Sequence, residues 1–175
     1  IEICSGAGSY VCGEEFALLE SIEGKPGRSR AKPPFPTSEG LFRKPTQINN
    51  VETFATIPVI IMMGGDEYQK IGTPTSTGTK LISLCGNVKN KGVYEIPFGL
   101  PLIDVINELG GGIDGGHKLR MVQLGGASGP IIPAKMTDII IDFDHFDVFS
   151  AKAGSGALIV IDERADMFGM LTRIM

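Results

Sequence analysis

Through the first 72 residues the apolar positions come in short bursts broken by glycine and proline, and from Lys80 onward the texture changes. Ile1 and Ile3 precede Ser5-Gly6-Ala7-Gly8-Ser9, which reads as a strand entering a glycine-rich turn. A helix is predicted from near Gly13, with Leu18, Leu19 and Ile22 on one face and Gly24 as its stop. Pro26, Pro33, Pro34, Pro36 and Pro45 then follow closely, so residues 24–47 are predicted to be a long extended segment without regular structure. Loops of that length inside a compact domain are usually functional or mobile. Ile48, Val51, Ala55, Val59 and Met62 recur at spacings of three and four, a helical pattern that Pro58 should kink or split and Gly64-Gly65 should end. The small residues GTPTSTGT (72–79) mark the expected domain boundary.

Beyond it, KLISLCG (80–86) and GVYEIPFG (92–99) read as two strands joined by the turn at Asn87–Lys91. Pro101 opens a helix in which Leu102, Val105, Ile106 and Leu109 share a face, and Gly110-Gly111-Gly112 closes it. KLRMVQLGG (118–126) is a third strand, and GALIVIDE (156–163) is apolar enough to be a central one. Hairpin, helix, strand is the order of a β-grasp, ubiquitin-like fold, and this stretch resembles the soluble-ligand-binding β-grasp family. Asp166–Met175 reads as a helix without a terminal cap, and both ends of the sequence look like cuts from a longer chain.

Composition narrows the classes. With 42% hydrophobic and 21% charged residues the 175-residue chain is ordinary globular material. A formal net charge of -4 offers no general attraction to phosphate backbones, which argues against nucleic-acid binding. The longest apolar runs, Ile57–Met63 and Ala157–Ile161, are far short of a membrane span. Cys4, Cys12 and Cys85 are too scattered for a disulfide framework, a zinc site or an iron–sulfur cluster, and a reducing, cytoplasmic compartment is expected.

The chemistry concentrates in GAGSYVCGEE. Glycines between strand and helix let backbone approach a ligand, and N–H groups at a helix start favour anions. The spacing is not GxGxxG, because position 11 is Val, so a plain strand-to-helix turn reads equally well. Glu14 and Glu15 fall in the first helical turn, where acids often do no more than complement the helix dipole. Alternatively, a carboxylate there accepts hydrogen bonds from ribose hydroxyls and repels a 2′-phosphate.

GAGSYVCGEEFALLESIEGKPG followed by KPPFPTSEGLFRKPTQINNVET resembles the flavoprotein subunit of respiratory complex I and the corresponding subunits of NAD-linked hydrogenases and formate dehydrogenases. The resemblance continues more loosely to Met175. Where the family usually has Thr or Ser after the paired acids, this chain has Phe16. The implied fold is the C-terminal part of a Rossmann-like FMN-binding domain (1–72), a β-grasp domain (79–135) and a connecting strand and helix (136–175) leading toward an iron–sulfur domain. The implied cofactors of the whole protein are FMN, NAD and a 4Fe-4S cluster outside this chain. Implied partners are a thioredoxin-like 2Fe-2S subunit and a large iron–sulfur or hydrogenase subunit, reached from the cytoplasm.

Carried onto this sequence, Gly13, Glu14 and Glu15 match the flavin and dinucleotide cleft, with Glu15 facing the ribose and Glu14 nearer the nicotinamide and flavin. Lys32 and Phe35 match positions that hold NADH by charge and by adenine stacking. Asn49 and Asn50, joined by Thr53, match flavin-phosphate contacts. Each has a plainer alternative. Lys32 belongs to a basic run with Lys25, Arg28, Arg30, Arg43 and Lys44, Phe35 between prolines is a packing anchor elsewhere, and Asn is a favoured helix cap. Cys12 reads best as a small buried residue, and His117 and His145 as structural or exposed. No general acid, nucleophile or metal-ligand set stands out. The family's earlier glycine-rich flavin loop and its cluster-binding cysteines are absent from these residues. The segment alone is therefore expected neither to bind flavin tightly nor to oxidise NADH, and residues 1–60 are expected to be the less stable part. The competing readings are a non-catalytic β-grasp module for a ligand or neighbouring subunit, with Gly125-Gly126-Ala127-Ser128-Gly129 as its approach turn, and simple NAD binding without electron transfer.

Overall fold

The computed structural model describes residues 1–6, 8–126, 129–147 and 156–174. It divides into two compact units, Ile1–Val59 and Ile60–Met175.

In the first unit a 3-10 turn at Tyr10–Gly13 leads into helix α1 (Glu15–Ile22). α1 buries Phe16, Ala17 and Leu19, while Leu18 is exposed. It ends in a Schellman motif: Gly24 adopts φ 77, its N–H donates to the Ser21 carbonyl (3.1 Å), and the Lys25 N–H donates to that of Glu20 (2.9 Å). The helix starts at Glu15, near Gly13 as expected, after residues that wind into the 3-10 turn, but one expectation needs correction. Ile1–Ile3 is not a strand: both isoleucines are exposed, and the described residues of this unit offer no neighbouring strand to complete its hydrogen bonds. Ala7, in the glycine-rich turn, lies outside the described residues.

The proline-rich segment is less uniform than its composition predicts. Pro36 occupies the first position of a one-turn helix, α2 (Pro36–Glu39), where its missing N–H costs nothing, and a 3-10 turn at Leu41–Arg43 follows. Helix α3 (Val51–Met63) runs through Pro58 as a single element, so of the two expected outcomes, a kink or two short helices, the division is not seen. Proline removes one intrahelical bond there, and the rest of the ladder continues. None of its residues is buried: Val51, Phe54, Ile61 and Met62 all present apolar surface.

The second unit begins with the end of α3, Gly64 (φ 89) and a short helix α4 (Gly65–Tyr68). The 72–79 segment is a tight loop, closed by the Gly78 N–H on the Ile71 carbonyl (2.7 Å) and the Thr73 N–H on that of Ser76 (2.9 Å). Strands β1 (Thr79–Gly86) and β2 (Gly92–Pro97) form the predicted antiparallel hairpin. Alternation sets its faces, with Ile82 and Leu84 buried and Leu81 and Ser83 exposed. Helix α5 (Leu102–Asp104) continues as a π turn (Val105–Leu109) and buries Leu102, Val105 and Ile106 against the sheet core. The Gly110 N–H closes that wider turn on the Val105 carbonyl at 3.1 Å.

β3 (Leu119–Leu124), β4 (Ile131–Pro133) and β5 (Ala157–Asp162) complete a sheet of order β2-β1-β5-β3-β4. β5 is central, parallel to β1 and antiparallel to β3, as its apolar sequence predicts. Its Leu158 and Val160 pack with Ile82, Leu84, Ile106, Val122 and Leu124. Gly86 adopts φ 91, a region L side chains avoid, at the end of β1 where it pairs with Val160 of the parallel β5. Helices α6 (Phe143–Asp147) and α7 (Met167–Ile174) flank the sheet segments in sequence. His145 belongs to the cap of α6, its N–H and Nδ1 meeting the buried Asp142 carboxylate at 2.7 and 2.8 Å. In the 125–129 turn, the candidate ligand approach, Ala127 and Ser128 lie outside the described residues.

Candidate functional site

Helix α1 places the two acids. Glu14 is its N-cap in extended conformation, and one Glu14 carboxylate oxygen accepts from the Ala17 N–H at 2.9 Å. Glu14 thus fills the helix-start role that its position allows, with its second oxygen turned to Lys32 at 4.0 Å. Glu15 opens the helix and bears the Lys32 ammonium directly. The Glu15 bond, and then the charges of Glu15 and Glu14, raise the Lys32 pKa above its ordinary value. Both partners of the pair remain more than a third exposed, so water screens their attraction and it adds little to stability.

Glu15 also lines a cleft of about 200 Å³ with Phe35, Pro36, Thr37, Thr46, Gln47 and Ile48. Its far wall is shaped by backbone. Thr46 Oγ1 accepts from the Leu41 N–H (2.8 Å) and donates to the Lys44 carbonyl (2.9 Å), while the Thr46 N–H donates to the Pro36 carbonyl (2.8 Å). Gly40 fits beneath this wall because a Cβ there would stand 2.8 Å from the Pro36 carbonyl oxygen and collide with Thr46. Phe35 lines the cleft and is 55% exposed, so it is not buried as the packing anchor its proline neighbours imply.

The expected site residues therefore fall into two groups. Glu14, Glu15 and Lys32 are joined by ion pairs, and Glu15 and Phe35 share the cleft. Gly13 is exposed at the end of the 3-10 turn, with open space around the position a Cβ would take. Asn49, Asn50 and Thr53 cluster instead at the start of α3, all exposed. Asn50 caps that helix, its Oδ1 accepting from the Glu52 N–H at 2.9 Å. The cleft-lining residues include neither Lys32 nor this second group.

Several features beside the site have no counterpart in the sequence reading. Arg30, one of the basic run, is held on Glu20 (Nε to Oε1, 2.5 Å) and Glu23 (3.3 Å). The Glu20 bond is the main cause of its raised pKa. Glu23 also takes the Lys25 ammonium (2.6 Å) and the Phe42 N–H (2.8 Å), and its pKa falls to about 2, the Lys25 bond being the largest cause. The available signal was the spacing of Glu20 and Glu23, three apart on one helix face. The Phe16 ring lies under two cations, with the Arg30 guanidinium carbon 5.4 Å and the Lys32 Nζ 5.6 Å from its centroid. Among the described residues no acid, histidine and cysteine cluster could hold a metal, and no helix is long and apolar enough to cross a membrane.

Comparison with known proteins gives two family matches: the Nuo51 FMN-binding domain over residues 1–59 and the SLBB domain over residues 81–133. The chain is 47% identical to the HndC subunit of the NADP-reducing hydrogenase of Solidesulfovibrio fructosivorans, over 93% of this chain and 33% of that protein. It is 44% identical to the F 2 component of the NADH-quinone oxidoreductase of Rhizobium meliloti (strain 1021), over 99% of this chain and 41% of that protein. Among solved structures it matches an NAD+-reducing [NiFe]-hydrogenase in the air-oxidised state, with TM-score 0.86 and 38% identity, over 97% of this chain and 29% of that one. The chain thus spans well under half the length of these relatives.

Proposed function

From a chain that carries the Nuo51 FMN-binding and SLBB domains and is homologous to the flavoprotein subunits of NADH-quinone oxidoreductases and NAD(P)-linked hydrogenases, we propose that it forms one wall of the site where such a subunit takes a hydride from NADH. The observation that carries this reading is the grouping at α1: Glu14 and Glu15 side by side at the helix start, Lys32 upon them, and Glu15 in a cleft with an exposed Phe35.

The residues present fit a dinucleotide. Glu15 offers an acceptor for ribose hydroxyls, Phe35 an open aromatic face for adenine, and Lys32 a charge for the diphosphate. Glu14 is steadied by its capping bond and on this reading would meet the nicotinamide side. At the start of α3 the Asn50 carbonyl oxygen is used in capping, which leaves its amide end, with Asn49 and Thr53, to meet the phosphate of FMN. When bound, FMN supplies hydride acceptance and one-electron release to iron–sulfur clusters, including a 4Fe-4S cluster outside this chain. This chain's part is to bind and orient the dinucleotide. No proton transfer or nucleophile is assigned to its side chains.

In this reading residues 1–72 belong to the FMN- and NADH-binding domain, and 79–135 form the β-grasp domain together with β5, which fills the centre of its sheet, so that only the remainder of 136–175 leads toward the cluster domain. Partner subunits, a thioredoxin-like 2Fe-2S protein and a large iron–sulfur or hydrogenase subunit, hold the assembly in the cytoplasm or at the inner face of a membrane. The test is Lys32→Met in the full-length flavin-loaded protein. A severalfold rise in KM for NADH supports the assignment, and an unchanged KM contradicts it.

A second reading has its own support, since Ile60–Met175 is a compact unit with a continuous hydrophobic core. A β-grasp module for a ligand or neighbouring subunit would keep its binding after removal of all residues before Lys80, whereas the oxidoreductase reading requires loss of all activity.

A further inference from the structure

The Phe16 side chain is 1% exposed and sits on the second residue of α1, directly after the acid pair. Two cations converge on its ring. Arg30 is fixed there by Glu20 and Glu23 and approaches the centroid to 5.4 Å. Lys32 approaches to 5.6 Å while its ammonium rests on Glu15. A lysine side chain has four rotatable bonds, and an ion pair at its tip leaves many stem conformations open. A ring beneath the ammonium removes most of them, because the cation is attracted to the aromatic face.

We infer that Phe16 is a positioning residue for the dinucleotide site, its buried ring setting where the Lys32 ammonium stands relative to Glu15 and Glu14. The inference rests on the reading that Lys32 and Glu15 meet the dinucleotide. The ring has two consequences. It keeps Lys32 close to the acids, so an arriving diphosphate meets a cation already in place. The same ring also meets Arg30, so both like charges are held at one aromatic side chain. Packing alone would be served equally by leucine. Holding Lys32 requires the π face.

The test uses the full-length protein with lysine isotopically labelled at Cε, and ADP-ribose as the probe ligand. Lys32→Arg identifies the Lys32 resonance. In the wild-type protein the Lys32 Hε signals should be displaced upfield by the ring current. Phe16→Leu, which keeps an apolar filling, should abolish that displacement and weaken ADP-ribose binding about two- to fivefold. Phe16→Tyr, which keeps the ring, should restore both. Lys32 signals unchanged by Phe16→Leu would overturn the inference, as would altered signals with unaltered ADP-ribose affinity. Should Phe16→Leu fail to fold, Lys32 signals lacking any ring-current displacement in the wild-type protein would overturn it equally. A wild-type protein that binds no ADP-ribose would instead remove the dinucleotide reading, and the ligand role of Phe16 with it.

Discussion

The Lys32 ammonium rests on the Glu15 carboxylate and stands 4.0 Å from Glu14, so one cation answers both acids at the start of α1. The same relationship makes the acids separable by mutation, because Glu14 is also committed to the helix cap and Glu15 is not.

Glu15→Gln keeps the shape and removes the charge that a 2′-phosphate would meet. In the full-length protein the ratio of kcat/KM for NADH to that for NADPH should fall about tenfold or more, in line with the roughly 1.5–3 kcal/mol of a hydrogen bond to a charged group. Steady-state kinetics with both dinucleotides measure it. A ratio that does not move would remove Glu15 from the ribose. The choice between the two dinucleotides matters here, since one relative bears the name of an NADP-reducing hydrogenase.

Glu23 makes the first unit acid-sensitive. Its pKa is lowered from 4.5 to about 2 by Lys25, the Phe42 N–H and Arg30. A depressed folded-state value means that the stabilisation is fully present above the unfolded value of about 4.5 and is lost as pH falls through about 2. Acid titration followed by amide signals of residues 15–45 should therefore show loosening in that window. Glu23→Gln should flatten the response there, and an unchanged acid profile would count against the network.

Gly40→Ala tests the cleft wall. The added methyl meets Thr46 and the Pro36 carbonyl, so overpacking should cost about 1–3 kcal/mol and open the loop that carries Phe35. Thermal unfolding together with NADH affinity would reveal it. A variant as stable and as tight-binding as the wild type would show the wall to be soft.

Hydrogen exchange should separate the two units. The part of α3 in the first unit includes no buried residue, while the second unit closes a continuous core through β1, β3 and β5. Amides of residues 1–59 should exchange faster than those of the sheet strands in the isolated 175-residue chain. Leu158→Ala at the centre of the core should cost about 2–5 kcal/mol and unfold the second unit first. Equal protection across both units would contradict this division.

What the sequence made readable follows from where the physics is local. Alternation in KLISLCG and GVYEIPFG, and the unbroken apolar run of GALIVIDE, report burial on one or both faces of a strand, and the hairpin and the central strand stand where those patterns put them. Ile1 and Ile3 have the composition of a strand, yet a strand needs a partner that no property of its own residues reports. The stripe on α3 predicts a helix correctly, while the surface that covers such a stripe lies in other residues. In the candidate site, the acid pair and Lys32 were singled out by the resemblance, since the residues alone read equally as helix-dipole partners and part of a basic run. The ring of Phe16 beneath Lys32 and Arg30 was not legible, because two cations on a proline-rich segment reach it only through the path of that segment. Arg30 likewise read as one of a basic run, and its bonds to Glu20 and Glu23 are made across the turn after α1.

The most direct test of the account is the flavin content of the native polypeptide that carries these residues, purified from its source and measured with its intact mass. The account predicts a chain well above 18.6 kDa that carries FMN. A native polypeptide of this size free of flavin would contradict it and leave the β-grasp module as the working part.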